Sequence, residues 1–349
     1  MPKKSIPAVV LGGSGYVAAE MLGQLFNHPS FFVETVVSSS NEGVRVDEVF
    51  PHLTGVAEDL TFGSIESARS RIQGRRQVAV FSAMPHGETA GILADLLQGE
   101  SAAKVVDVSA DFRHVDPELY QSIYGKAHPA PELLRQFHCG LPDLEKSDPG
   151  DFISHPGCFS TGITLGLAGL YAGNWIEPSV QVSAVTGSTG AGRQPGAGTH
   201  HPHRQSSMWA YQPLVHRHTP EITTLLKPFA PEAQIAFVPH SGPFSRGIHS
   251  TIFGRLQTPA WAKDIVESVA AFYAHSPFIK VSEKMPTLKE VVGTNRCHLG
   301  VAVSGTQVIV TSVMDNLVKG AGGGAIQWMN RLFGLDEKEG LVHAVPGWI

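Results

Sequence analysis

Cysteine is scarce in this chain of 349 residues: only Cys139, Cys158 and Cys297 occur, too far apart for a CxxC pair or a disulfide framework. That scarcity excludes a disulfide-stapled secreted scaffold and fits a reducing, cytoplasmic setting. Charge is low as well. Charged residues make up 16% of the chain, the net charge is −5, and no basic tract occurs. Nucleic acid and anionic membranes are therefore poor main partners. No apolar stretch approaches the ~18 residues of a membrane span. The opening "MPKKSIPAVVLGGSG" places two lysines ahead of an apolar run, but the run is short, glycines break it, and no cleavage site follows. There is no H-E-x-x-H pattern, so the histidines at His200, His201 and His203 call for no metal. Apolar material is plentiful at 42%, and the length suggests two domains of roughly 150–200 residues each.

The first half alternates apolar runs with helical patterns. "IPAVVL" leads into Gly12, Gly13, Ser14 and Gly15, and an Ala-, Leu- and Met-rich stretch beginning at Tyr16 and Val17 runs to about His28. Strand, glycine turn and helix form the arrangement in which main-chain N–H groups hold a pyrophosphate. The competing reading is a tight structural turn, since Ala18 stands near the third glycine position of the full pattern. The next strand ends in Ser38, Ser39 and Ser40 rather than in an acid. Without an acceptor for the ribose hydroxyls of NAD, and with Arg45 nearby, NADP is favoured. The runs at 77–84 and 103–111 read as buried parallel strands whose carboxyl ends face the ligand. Pro85 and His86 of "PHGET", and Ser109 and Arg113 of "SADFR", then belong to the cofactor crevice, or else serve as ordinary loop chemistry.

"ISHPGCFSTGITLGLAGLYAG" places Cys158 in a Pro-Gly turn ahead of a helix expected from about 159–161. Two readings compete: a small buried residue closing the turn, or a nucleophile whose pKa the helix N-terminus lowers. Further on, a polar segment without apolar period holds Ser188, Gly190 and Arg193, the last suited to a carboxylate or phosphate. In "HRHTPEI", Thr219 and Pro220 read as helix cap and first turn, with His216 and His218 on an extended approach to it. The pair acts as acid/base or as a hydrogen-bonded interface pair. "AQIAFVPHSGPFSRGIHSTIFGRL" and "HLGVAVSGTQVIVTSVMDNL" suggest a mixed sheet, and a last helix is expected from about Val318.

Several motifs in one order make the family visible: "GGSGYVAAEML", "MPHG", "VVDVSADFR", "CGLPDL", "HPGCFSTG", "GSTGAGR", "HRHTPEI", "PHSGPFSRGI" and "DNLVKGA". The chain resembles, nearly from end to end, the N-acetyl-gamma-glutamyl-phosphate reductases, NADP-dependent enzymes of arginine biosynthesis. More distantly it resembles aspartate-semialdehyde dehydrogenase. The resemblance implies an α/β fold with an N-terminal Rossmann NADP-binding domain (1–157 with 319–349) and an α+β mixed-sheet catalytic and dimerisation domain (158–318). It implies a homo-oligomer, dimer or tetramer, acting on a small acyl phosphate. Cys158 would accept the acyl group, with His216 and His218 as acid/base. NADP would be held by Gly12, Gly13, Ser14, Gly15, Tyr16, Val17, Ser38, Ser39, Ser40, Pro85, His86, Ser188, Gly190 and Asn316. Ser109, Arg113, Arg193 and Arg246 would bind substrate. Two departures stand out: His155 where the family more often has Asn, and Phe159-Ser160 where it has Tyr-Pro. The loop "GAGTHHPHRQSS" is similar to that of sister enzymes in a lysine route, whose carrier-bound substrate is one methylene longer, so glutamyl and aminoadipyl chains both stand. Redox sensing without acyl-phosphate turnover, and thiol hydrolysis, are the readings from other classes.

Overall fold

The computed structural model describes residues 5–75, 77–99, 102–147 and 149–345. The chain forms two compact units: one runs to Pro156 and resumes at Ala321–His343, the other comprises Gly157–Gly320 with Ala344 and Val345.

The first unit is built on seven strands: β1 (Ile6–Leu11), β2 (Phe31–Val37), β3 (Phe62–Gly63), β4 (Val78–Ser82), β5 (Ala103–Asp107), β6 (His138–Cys139) and β7 (Phe152–Ser154). All pair in parallel, in the order β3-β2-β1-β4-β5-β7-β6. Every residue of β1 and β4 is buried, as expected of parallel strands covered on both faces. The connecting helices are α1 (Tyr16–Phe26), the short α2 (Val46–Val49), α3 (Ile65–Ile72), α4 (Thr89–Leu96) and α5 (Pro117–Tyr124). Val9, Leu11, Val78, Val80 and Val105 form one core with Leu93, Leu96, Phe112 and Phe137. The strand order reverses between β1 and β4, the place where open α/β sheets bind ligands. Gly12 sits there with φ +73°, and a Cβ on it would lie 2.6 Å from Met84 Cα. Only glycine fits that backbone conformation at that approach.

The second unit also has seven strands: β8 (Ser179–Thr186), β9 (Trp209–Ala210), β10 (Gln234–Ser241), β11 (Ile248–Arg255), β12 (Ile279–Ser282), β13 (Cys297–Ser304) and β14 (Gln307–Met314). Their order is β12-β13-β14-β11-β8-β10-β9. The sheet is mixed, since β8–β10 and β12–β13 run parallel and the other pairs antiparallel. Helix α6 (Cys158–Ala172) packs on it, joined by α7 (His201–Arg204), α8 (His218–Leu226) and α9 (Ala262–Phe272). Burial almost all round α6 explains why its sequence is apolar on every side. Gly166 lets it approach the sheet: a Cβ there would lie 2.7 Å from Ile252 Cδ1. In β8, Val180, Val182 and Ala184 are buried while Ser179 and Gln181 are exposed, so the opposite face of the sheet is the more open one. Phe253 of β11 shows 43% of its surface there.

After β14 the chain makes a π turn at Val318–Gly322 and returns to the first unit as α10 (Gly323–Leu332). Trp328 of α10 is fully buried and donates to Gly140 O (3.1 Å). The helix expected from Val318 thus begins five residues later, where the π turn closes. The helix expected to be capped by Thr219 opens earlier, at His218, with Arg217 at the cap. Proline is tolerated within a first turn, where its missing N–H has no intrahelical partner to lose. His216 and His218 are therefore not on one extended strand: turn residues precede them and His218 is already helical.

Candidate active site

Cys158 is the first residue of α6, half-buried, behind Gly157 as the cap. The N–H groups of a helix's first turn have no intrahelical acceptor, and no side chain caps this one from the Gly157 position. Thr161 N bonds to Gly157 O (2.8 Å) and starts the helical ladder. The carboxylate of Glu221, 1% exposed, reaches across from α8. Its Oε2 accepts from Gly157 N (2.9 Å) and from Ser160 Oγ (2.7 Å). On the other side, Gly320 closes over the cysteine: a Cβ there would lie 2.8 Å from Cys158 Cβ.

The residues on either side of Cys158 both touch the histidine pair. A Cβ on Gly157 would lie 2.4 Å from His218 Nε2, so the imidazole edge occupies the space that glycine leaves. The Phe159 ring packs edge-on to His216 (centroids 5.7 Å apart) and near His218 (6.1 Å). The two imidazoles are perpendicular, 4.7 Å apart. His216 Nδ1 accepts from the main-chain N–H of His218 (3.2 Å), which assigns its ring proton to Nε2. Burial, aided by the Arg217 charge and opposed by Glu221, pushes His216 down to about 4. It is neutral at pH 7. Tyr211 lies against His216, with centroids 5.6 Å apart. Its phenol is pushed up, first by burial and then by the negative charge that Cys158 can carry.

Sequence reading missed three members of this centre: Glu221, Tyr211 and Gly320. A signal existed for the first, because His218 and Glu221 are three apart on one helix and so share a face. Tyr211 and Gly320 carry no local signal, since chain folding alone brings them near residue 158.

The other expected residues of this unit form a second cluster. Asn316 Oδ1 accepts from Gly247 N (2.7 Å), and its Nδ2 donates to Thr189 Oγ1 (3.1 Å), in the loop that holds Ser188. Arg246 is paired with buried Asp315, both Nε and Nη2 lying 3.0 Å from Oδ2. Asp315 also accepts from Gly293, Leu317 and Val318 N–H groups, so this pair braces the π turn behind Gly320. Gly190 and Arg193 are exposed on the loop after β8.

The first unit carries the rest. Gly15 caps α1 with no side-chain hydrogen bond and no acid in the first turn, and a Cβ on it would meet nothing within 4 Å. Tyr16 and Val17 begin that helix. Ser38 Oγ hydrogen-bonds Ser14 Oγ and Ser40 Oγ, both at 3.2 Å, and accepts from Asn41 Nδ2; Ser39 is exposed beside them. Uncapped N–H donors, empty space at Gly15 and clustered hydroxyls fit a phosphorylated dinucleotide. Arg45, by contrast, is tied to Asp47 by two hydrogen bonds (2.9 and 2.6 Å). Exposed His86, next to Pro85, accepts at Nδ1 from Ala110 N (2.9 Å). Ser109 is buried, its hydroxyl donating to Asp107 Oδ2 (2.6 Å). Burial pushes the Asp107 carboxyl up to about 6. Asp111 accepts from Gly87 and Ala90 N–H groups and so caps α4, while buried Arg113 donates to Val108 O (2.8 Å). Among the described residues no group of three or more His, Cys, Asp or Glu could hold a metal, and no helix is long and apolar enough to cross a membrane.

Comparison with known proteins assigns a family domain to most of each unit. Residues 7–148 match the semialdehyde dehydrogenase NAD binding domain, and residues 158–316 the semialdehyde dehydrogenase dimerisation domain. The N-acetyl-gamma-glutamyl-phosphate reductase of Pseudomonas paraeruginosa is 39% identical, covering 96% of this chain and 97% of that protein. Those of Dehalococcoides mccartyi and Methanocaldococcus jannaschii are each 37% identical, over 97% and 95% of this chain and 98% and 96% of theirs. Among solved structures, aspartate semialdehyde dehydrogenase II of Vibrio cholerae shares the fold at TM-score 0.70 and 13% identity, covering 95% of this chain and 99% of that one. The aspartate semialdehyde dehydrogenase of Candida albicans, solved with NADP, does so at TM-score 0.63 and 16% identity, with the same coverage. The chain belongs to the N-acetyl-gamma-glutamyl-phosphate reductase family.

Proposed function

We propose that the chain reduces N-acetyl-gamma-glutamyl phosphate to N-acetylglutamate 5-semialdehyde with NADPH, releasing phosphate, by way of a thioester on Cys158. The observation that carries this reading is the position of Cys158: first residue of a buried helix, with both sequence neighbours against His216 and His218. A thiolate is favoured there by the helix N-terminus. Cys158 Sγ bonds to the acyl carbon, the carbon–oxygen bond to phosphate breaks, and the leaving oxygen takes a proton. We assign that proton to His218, whose ring lies against Gly157. His216, neutral and with Nδ1 occupied, positions His218 instead. First-turn N–H groups of α6 hold the oxyanion that develops on the acyl carbon. Gly12–Gly15, the α1 N-terminus and the Ser14, Ser38 and Ser40 hydroxyls would hold NADPH, which when bound would supply hydride for the thioester carbonyl. Cys158 then leaves as thiolate and the aldehyde is freed.

The dimerisation-domain match supports a homo-oligomer, and the open face of the second sheet, with Phe253 exposed, is the surface we assign to the second copy. A reducing cytoplasm would keep Cys158 as a free thiol.

The test is the reverse reaction: NADPH formation from NADP, phosphate and N-acetylglutamate semialdehyde. Phosphate-dependent turnover is expected. Turnover only with the homologue one methylene longer would move the substrate to the aminoadipyl series, and no turnover with either would overturn the reading.

A further inference from the structure

A polar pocket of about 230 Å³ lies in the second unit, lined by Ser188, Thr199, His201, Arg204, Gln205 and Ser245 among others. Its lining includes none of Gly157, Cys158, Tyr211, His216 or His218. Arg204 is 9% exposed, yet among the described residues every hydrogen-bond partner it has is neutral. Nη1 donates to Ser241 Oγ (2.7 Å) and Gly198 O (3.5 Å), and Nη2 to Gly242 O and Phe244 O. The Trp209 ring lies 5.7 Å from the guanidinium carbon. Nε is buried and has no acceptor among the described residues.

A buried guanidinium without a carboxylate is costly, because carbonyl dipoles offset only part of the lost hydration. Burial pulls its pKa below the usual arginine value. A charge kept in that state beside a pocket of hydroxyl and amide groups, with no acid in the lining, is suited to an anion supplied from outside.

We propose that this pocket is an oxyanion subsite that takes the α-carboxylate of the acyl-phosphate substrate, with Arg204 as its fixed positive charge. The assignment rests on the reductase reading above. Phosphate leaves from the carbon bonded to Cys158 Sγ, so its place is beside residues absent from this pocket. The carboxylate lies at the far end of the acyl chain. Ser188 ties the pocket to the second cluster, since its neighbour Thr189 accepts from Asn316, which adjoins the Asp315 that braces the turn holding Gly320 against Cys158.

Arg204 also clamps two loops together, so its replacement risks unfolding. Gln205→Glu is the cleaner variant: it places a carboxylate in the pocket and removes none of the hydrogen bonds to Arg204. In the reverse reaction its KM for the semialdehyde is expected to rise by at least about tenfold, with KM for phosphate and kcat within about twofold. A rise in the phosphate KM instead, or no change in either, overturns the assignment. Calorimetric titration of N-acetylglutamate into the purified chain decides the point without turnover. Wild-type binding that weakens by about tenfold in Gln205→Glu supports the subsite; equal binding, or none by the wild type, overturns it. A wild type that binds N-acetylglutamate but never turns over would sink the reductase reading and leave the carboxylate site standing.

Discussion

The candidate sites of the two units are built by different means. The first offers main-chain donors and small hydroxyls: the Gly12 turn, the uncapped start of α1, and Ser14, Ser38 and Ser40. The second gathers long side chains from distant parts of the chain around Cys158: His216, His218, Tyr211 and Glu221. A backbone site is sensitive to where a Cβ would protrude and tolerant of most else. A side-chain site depends on each group's charge and reach. The contrast extends to buried ionisable groups, for Asp107 is pushed up to about 6 and His216 down to about 4.

The largest effect expected is from Cys158→Ser, which should lower kcat by at least about a thousandfold while NADPH affinity stays within about twofold. Fluorescence titration with NADPH beside the reverse assay checks both halves. Near-normal turnover would remove the nucleophile from the second unit.

Next comes the response to pH. Between about pH 4 and 6.5 the unfolded chain binds a proton at His216 that the native state refuses, so this residue makes stability rise with pH. Asp107 does the opposite from about pH 4 to 6, where the native state keeps a proton that the unfolded chain has lost. Each amounts to about 3 kcal/mol over its window. Urea unfolding should show His216→Asn losing ground to wild type as pH rises from 4 to 7, and Asp107→Asn gaining it. Differences that do not move with pH would refute the contrast.

Gly320→Ala puts a methyl group against Cys158 Cβ, in a space that glycine leaves. A displacement of the thiol should cost about a hundredfold in kcat, and overpacking about 1–3 kcal/mol in stability. Kinetics and a thermal melt read the two separately. The smallest effect belongs to Gly15→Ala. A Cβ there meets nothing in the protein, so stability should fall by at most about 1 kcal/mol, while NADP binding weakens by about tenfold as the methyl enters the phosphate space. Unaltered NADP affinity would show that the open space at Gly15 is not the pyrophosphate's.

What could be read from the sequence follows the same division. The glycine turn, the parallel strands and Cys158 at a helix start are each contiguous in the chain, and local pattern was enough to find them. Thr219 and Pro220 imitate a cap two residues beyond the true one, Arg217, which makes no side-chain hydrogen bond, so the sequence predicts this helix two residues late. Glu221 was visible as a letter in "HRHTPEI" but not as the acceptor for Gly157, 64 residues away. Arg204 looks in the sequence like its exposed neighbours, since burial without a counter-ion is a property of the fold and leaves no mark in composition.

Gly157 opens the main segment of the second unit and Gly320 ends it, and Gly320 lies against Cys158. The two ends of this block therefore touch. A segment with adjoining ends can be spliced into a host chain as a cassette, because its removal leaves only a short gap to bridge. Grafting residues 157–320 between relatives would transfer Cys158, both histidines, Glu221 and Arg204 in one piece and leave the glycine turn behind. Such a graft would carry the proposed nucleophile one residue inside the splice, together with Ser188, Gly190 and Asn316 of the expected dinucleotide set, and would show how far acyl and dinucleotide preference travel separately.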